Sequence, residues 1–89
     1  FYKAGEFGIR IENLVVVKEP AAIAGGEREM LSFDTITLAP ISLQLVVQSL
    51  LSEVERDWLN EYHERVRNTL TPKLSEEVAE WLAHETRSI

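Results

Sequence analysis

Arg10 and Glu12 are the most informative polar pair in the chain. They stand two residues apart in Phe7-Gly8-Ile9-Arg10-Ile11-Glu12-Asn13, a stretch that reads as strand, so both side chains project from one face within reach of each other. Leu14 and Val16 share that face. A charged pair on a largely apolar face is costly unless it is matched or bound to something. The ordinary reading is a surface ion pair. The functional reading is a carboxylate that binds a metal or substrate, oriented by the arginine beside it.

The remaining chemistry-bearing residues say less. His63 and His84 each precede a glutamate, but His63-Glu64-Arg65-Val66-Arg67 lacks the second histidine of a zincin motif. Pattern places His63 beside the apolar stripe of a helix and partly exposed, and His84 near a helix C-terminus. The serines show no nucleophile-elbow pattern, and Gly25-Gly26 reads as a turn rather than a phosphate loop. There are no cysteines, which excludes a disulfide framework, a thiolate metal site and a cysteine nucleophile. That usage is compatible with a reducing compartment, and the reading is a cytoplasmic protein.

The elements that position these residues fall into two halves. Residues 7–18 are dominated by β-branched residues and read as a strand. Ile9, Ile11, Val15 and Val17 share one face and apolar residues also occupy the other, so the strand is expected to be covered on both sides. Pro20 and Gly25-Gly26 mark a long loop over 19–29. Residues 30–38 form a second strand, whose alternation changes phase near Asp34-Thr35 and predicts a bulge there. Pro40 ends it, and Leu43–Val47 is a short third strand. Ser52-Glu53-Val54-Glu55 has capping-box spacing and opens a helix to about Asn68, with Val54, Trp58, Leu59, Tyr62, Val66 and Leu70 as its apolar stripe. Thr71-Pro72 breaks it. Ser75 caps a second helix with the stripe Val78, Trp81 and Leu82. The fold class is α+β, an antiparallel sheet portion followed by two helices, with strands over 1–48 and a helical extension over 49–89.

Length and charge narrow the function. The 89 residues amount to one domain at most, and no apolar run approaches the ~20 residues of a membrane span. Nine basic against fifteen acidic residues give a net charge of −6, which argues against binding a phosphate backbone. No starting Met or signal peptide is present, and the expectation is a piece of a larger protein.

Four stretches together resemble a known family. They are Phe7–Asn13; Leu31-Ser32-Phe33-Asp34-Thr35-Ile36-Thr37-Leu38-Ala39-Pro40; Trp58-Leu59-Asn60-Glu61-Tyr62-His63; and Trp81-Leu82 with Glu85-Thr86. In this order they resemble the C-terminal end of the long-form Xaa-Pro aminopeptidases, pita-bread metallopeptidases. The resemblance implies a catalytic domain that binds two divalent cations, usually manganese, through two aspartates, one histidine and two glutamates. Of these, Glu12 alone matches a position in this chain, as the glutamate that bridges the metals, and Arg10 matches the arginine that orients it. The other glutamate, in a Glu-Pro-Gly motif, is implied just upstream of Phe1. The implied partners are the rest of that catalytic domain, a peptide with proline at its second position, and a second copy in a homodimer. The chain alone is expected to be inactive. Unpaired strand edges are expected to drive two-fold self-association. The alternative is a non-catalytic interaction or dimerisation domain on the same fold.

Overall fold

The computed structural model describes all 89 residues and resolves them into two compact units, Phe1–Thr37 and Leu38–Ile89. The first unit is built of short antiparallel ladders. β1 (Tyr2–Lys3) pairs with β2 (Phe7–Gly8) around a turn in which Gly5 takes a φ of 74°, a left-handed conformation natural to glycine. The ring of Tyr2 lies over Gly8, where a Cβ would come within 2.8 Å of it. β3 (Val15–Val17) pairs with β6 (Phe33–Thr35), and β4 (Ala21–Ala22) pairs with β5 (Glu29–Met30). Together these make one long hairpin, turned at its tip by Gly25 with a φ of 75°.

Three sequence-based expectations change here. The 7–18 strand is not continuous: residues 9–14 lie outside any ladder, and the stretch is bonded to the rest of the unit at its ends, Ile9 to Phe1 and Leu14 to the 36–37 segment. Its faces are not covered either. Val15, Val16 and Val17 are all half-exposed, since the ladder has two strands and no layer stacked on it. The irregularity expected at Asp34-Thr35 lies elsewhere. Residues 33–35 pair one to one with 15–17, whereas three residues, Lys18 to Pro20, face two, Leu31 and Ser32, before β4–β5 resumes. The Lys18 N–H still donates to the Ser32 carbonyl, so the extra residue falls within Glu19-Pro20, and Pro20 has no N–H to give to a ladder.

The second unit holds the core. The third strand expected at Leu43–Val47 is instead a 3₁₀ turn, Leu43–Leu45, followed by another at Gln48–Leu50. Val46 and Val47 favour strand by type, but only Leu43 of this stretch is buried, and the chain turns to put it there. α1 spans Glu53–Leu70, and its capping box is complete. Ser52 Oγ accepts from the Glu55 backbone N–H, and the Glu55 carboxylate accepts from both the Ser52 backbone N–H and its hydroxyl. Those bonds hold the Glu55 carboxyl below the usual carboxylate range. A 3₁₀ turn at Thr71–Lys73, with Pro72 near its start, leads to α2, Glu76–Glu85. Ser75 occupies the N-cap position, although its hydroxyl makes no capping bond. No helix is long and apolar enough to cross a membrane.

Tyr62, Val66 and Leu82 form the core, with Leu38, Ile41 and Leu70 packed against them. The expected stripes are only half correct. Leu59, Tyr62 and Val66 are buried, whereas Val54 and Trp58 are exposed on α1, and Val78 and Trp81 are exposed on α2. A core this small makes each member count. Leu82→Ala should cost about 2–5 kcal/mol, close to the stability of a unit this size. Chemical denaturation should show the cooperative transition of the helical unit lost or moved to much lower denaturant.

Candidate functional site

Arg10 and Glu12 come together as the strand spacing requires. The Arg10 Nε lies 3.5 Å from Glu12 Oε1, and both side chains are about two-thirds exposed, at 64% and 69%. Hydrogen bonds immediately downstream set the position of their segment. The Leu14 N–H donates to Thr37 Oγ1 at 2.8 Å, and the Ile36 N–H donates to the Leu14 carbonyl at 2.9 Å. Glu12 therefore lies two residues from a fixed point, Leu14, just before the β3–β6 ladder. Ile11, Glu12, Asn13, Leu14 and Thr37 line a shallow depression around it. An exposed carboxylate here offers a hard oxygen donor suited to a divalent cation. No group of three or more His, Cys, Asp or Glu side chains that could hold a metal ion gathers in the chain.

The histidines separate. His84 is exposed, with Nδ1 3.1 Å from Glu85 Oε1. His63 is not the boundary residue its pattern suggests: it is fully buried. Its Nε2 accepts from the Ile41 N–H at 3.0 Å, and burial, reinforced by the nearby Arg67 charge, pushes its pKa below the ordinary histidine value.

The run Trp58–His63 is a set of backbone clasps rather than a ligand cluster. Tyr62 Oη accepts from the Ala39 N–H at 3.3 Å and donates to the Ala39 carbonyl at 3.0 Å. Asn60 holds Ile89 at both backbone groups, donating to its carbonyl at 3.1 Å and accepting from its N–H at 3.0 Å. Leu59 is buried, and Trp58 stacks on the Tyr62 ring with centroids 5.4 Å apart. One turn on, Arg67 donates to the Thr86 carbonyl at 2.6 Å, while the buried Thr86 hydroxyl donates to the Leu82 carbonyl at 2.6 Å. The roles of Asn60, Arg67 and Thr37 have no local spacing to reveal them, because their partners are backbone groups 19 to 29 residues away.

A short antiparallel portion carrying an exposed carboxylate–guanidinium pair, followed by a clasped helical pair, is an α+β arrangement matching part of a pita-bread domain. Residues 29–89 match the family described as "C-terminal region of peptidase_M24", and the chain belongs to that family. It is 40% identical over 92 aligned positions to a probable Xaa-Pro aminopeptidase P of Coprinopsis cinerea. It is 44% identical to one of Arthroderma benhamiae. Both alignments take in the whole of this chain but only 15% and 13% of the relatives' length. Among solved structures, an X-prolyl aminopeptidase from Caenorhabditis elegans, described as a cytosolic enzyme with a di-nuclear active site, superposes with a TM-score of 0.83. It is 35% identical over this entire chain, which corresponds to 15% of the worm protein.

The clasp has a direct test. Tyr62→Phe leaves both Ala39 backbone groups without that partner and should cost about 1–3 kcal/mol. Removing the exposed Arg10–Glu12 pair should leave stability nearly unchanged. Urea midpoints of Y62F and of R10A/E12A, compared with the parent, read the contrast.

Proposed function

We propose that this chain is the C-terminal part of a dinuclear Xaa-Pro metallo-aminopeptidase. Glu12 is its one metal ligand, bridging two divalent cations, and Arg10 orients the Glu12 carboxylate. The observation that carries the reading is the Arg10–Glu12 pair, exposed on one segment of a chain whose whole length superposes on an enzyme with a di-nuclear active site. Glu12 fits a hard cation by donor type. The remaining ligands belong to other parts of the catalytic domain, and manganese is the metal this reading favours. A bound cation pair supplies two things: water that loses its proton near neutral pH, and polarisation of the scissile carbonyl. The chain's own residues hold and aim one carboxylate. The Leu14–Thr37 and Ile36–Leu14 bonds fix the backbone beside Glu12, and Arg10 restrains the side chain. The substrate is a peptide with proline at its second position, the setting is cytoplasmic, and the assembly is a homodimer.

In the whole polypeptide that carries this sequence, Glu12→Ala should abolish release of the N-terminal residue from an Xaa-Pro peptide and weaken metal binding. Arg10→Ala should cost about 10–100-fold in activity or metal affinity. Unchanged binding of two metals by E12A in calorimetry would remove Glu12 from the site. The 89 residues alone, with one ligand, should show no hydrolysis above an E12A control. A polypeptide that folds, binds no metal and cleaves nothing would instead indicate the non-catalytic interaction role.

A further inference from the structure

His63 is buried in the helical unit and bonded through one side of its ring only. Its Nε2 lies 3.0 Å from the backbone nitrogen of Ile41. A backbone N–H can only donate, so Nε2 must present a lone pair. In the neutral ring the proton then sits on Nδ1, which is buried without a hydrogen-bond partner. The segment held by this bond has the same register as its neighbour: Tyr62 grips Ala39, His63 grips Ile41, and Pro40 between them has no N–H of its own. Leu38 and Ile41 pack on the core from this strap.

We propose that His63 is a proton-operated latch, which in its neutral form holds the Leu38–Ile41 strap against α1 and on protonation at Nε2 releases it. The step takes one proton from solvent onto Nε2. The lone pair that accepted from Ile41 becomes an N–H, so two donors face each other and the hydrogen bond is lost.

Burial and a neighbouring positive charge both weigh against an imidazolium here. The charged group facing the ring on α1 is Arg67, whose guanidinium is anchored to Thr86 beyond the end of α2. The strap, Leu38-Ala39-Pro40-Ile41, has no ionisable side chain. Next to Thr86, the carboxylate of Glu85 lies against His84. Burial and Arg67 both disfavour the charged ring, so the unfolded or released state binds the proton more readily. The latch is therefore fully closed above the ordinary histidine pKa of about 6.5, and its contribution is lost as pH falls below that value.

The test is amide hydrogen exchange resolved to residues 38–41, in the whole polypeptide carrying this sequence, between pH 7.5 and 5 and corrected for intrinsic rates. Protection at Ile41 should fall by up to about tenfold per pH unit below pH 6.5, the limit for one proton. His63→Gln supplies an acceptor that does not titrate and should flatten this dependence, whereas His84→Gln should leave it intact. Protection that stays flat in the parent, or a pH dependence that survives in H63Q, overturns the latch. If H63Q does not fold, the imidazole ¹⁵N spectrum of the parent decides. A ring protonated on Nδ1 at pH 7.5, titrating in step with the loss of protection, supports it; a ring protonated on Nε2 refutes it.

Discussion

Two consecutive side chains of α1, Tyr62 and His63, hold the backbone of Ala39 and Ile41, and the organisation of the helical unit depends on that grip. The strap between them carries two of the apolar residues that pack on the core, Leu38 and Ile41. Buried N–H and C=O groups need partners, and a proline-interrupted strap cannot find them in a ladder or a helix. Side chains therefore serve in place of secondary structure. Asn60 does the same for Ile89 and Arg67 for Thr86, so one helix ties down segments 19 to 29 residues away in the chain. A unit with so few buried apolar residues gains its definition from these directional bonds as much as from its core.

The strand unit follows a different constraint. Its order comes from short ladders and turns, and its apolar residues stay exposed, Ile11 at 69% and Phe33 at 68% among them. Such surface is typical of a face meant to be covered. The Glu12 segment nonetheless has a defined anchor, because Leu14 is bonded at both its N–H and its carbonyl to the 36–37 segment. A side chain two residues from a double anchor is better held than one on a free loop.

The sequence made some of this legible and concealed the rest for identifiable reasons. The capping box at Ser52 and the break at Pro72 follow from local rules that act within a few residues. The helix stripes misled because periodicity identifies a face but not its extent: Trp58 and Trp81 fall on the apolar side yet lie beyond the small core. His63 misled in the opposite direction. Its burial is set by a backbone donor 22 residues earlier, which no helical spacing can reveal. The expected strand at 43–47 failed because β-branched content has no force without a neighbouring edge to pair with. At the candidate site, the spacing of Arg10 and Glu12 was enough to predict their contact, while the role of Thr37 depended on which strand folds beside them.

The two halves of the chain bear on function in different ways. The family match covers residues 29–89, a stretch that contains the clasps and the core but neither Arg10 nor Glu12. Within it, Leu59, Asn60, Tyr62 and His63 each perform a separate packing or backbone-binding task, so folding accounts for the run Trp58–His63. The whole-chain similarity to aminopeptidases takes in residues 1–28 as well, the part that carries Arg10 and Glu12. An exposed Arg10–Glu12 pair contributes little to stability, so folding gives no reason for those residue types at that spacing. Folding thus accounts for the residue types of the helical tail but not for the charged pair, and a function argued for this chain has to be argued from that pair.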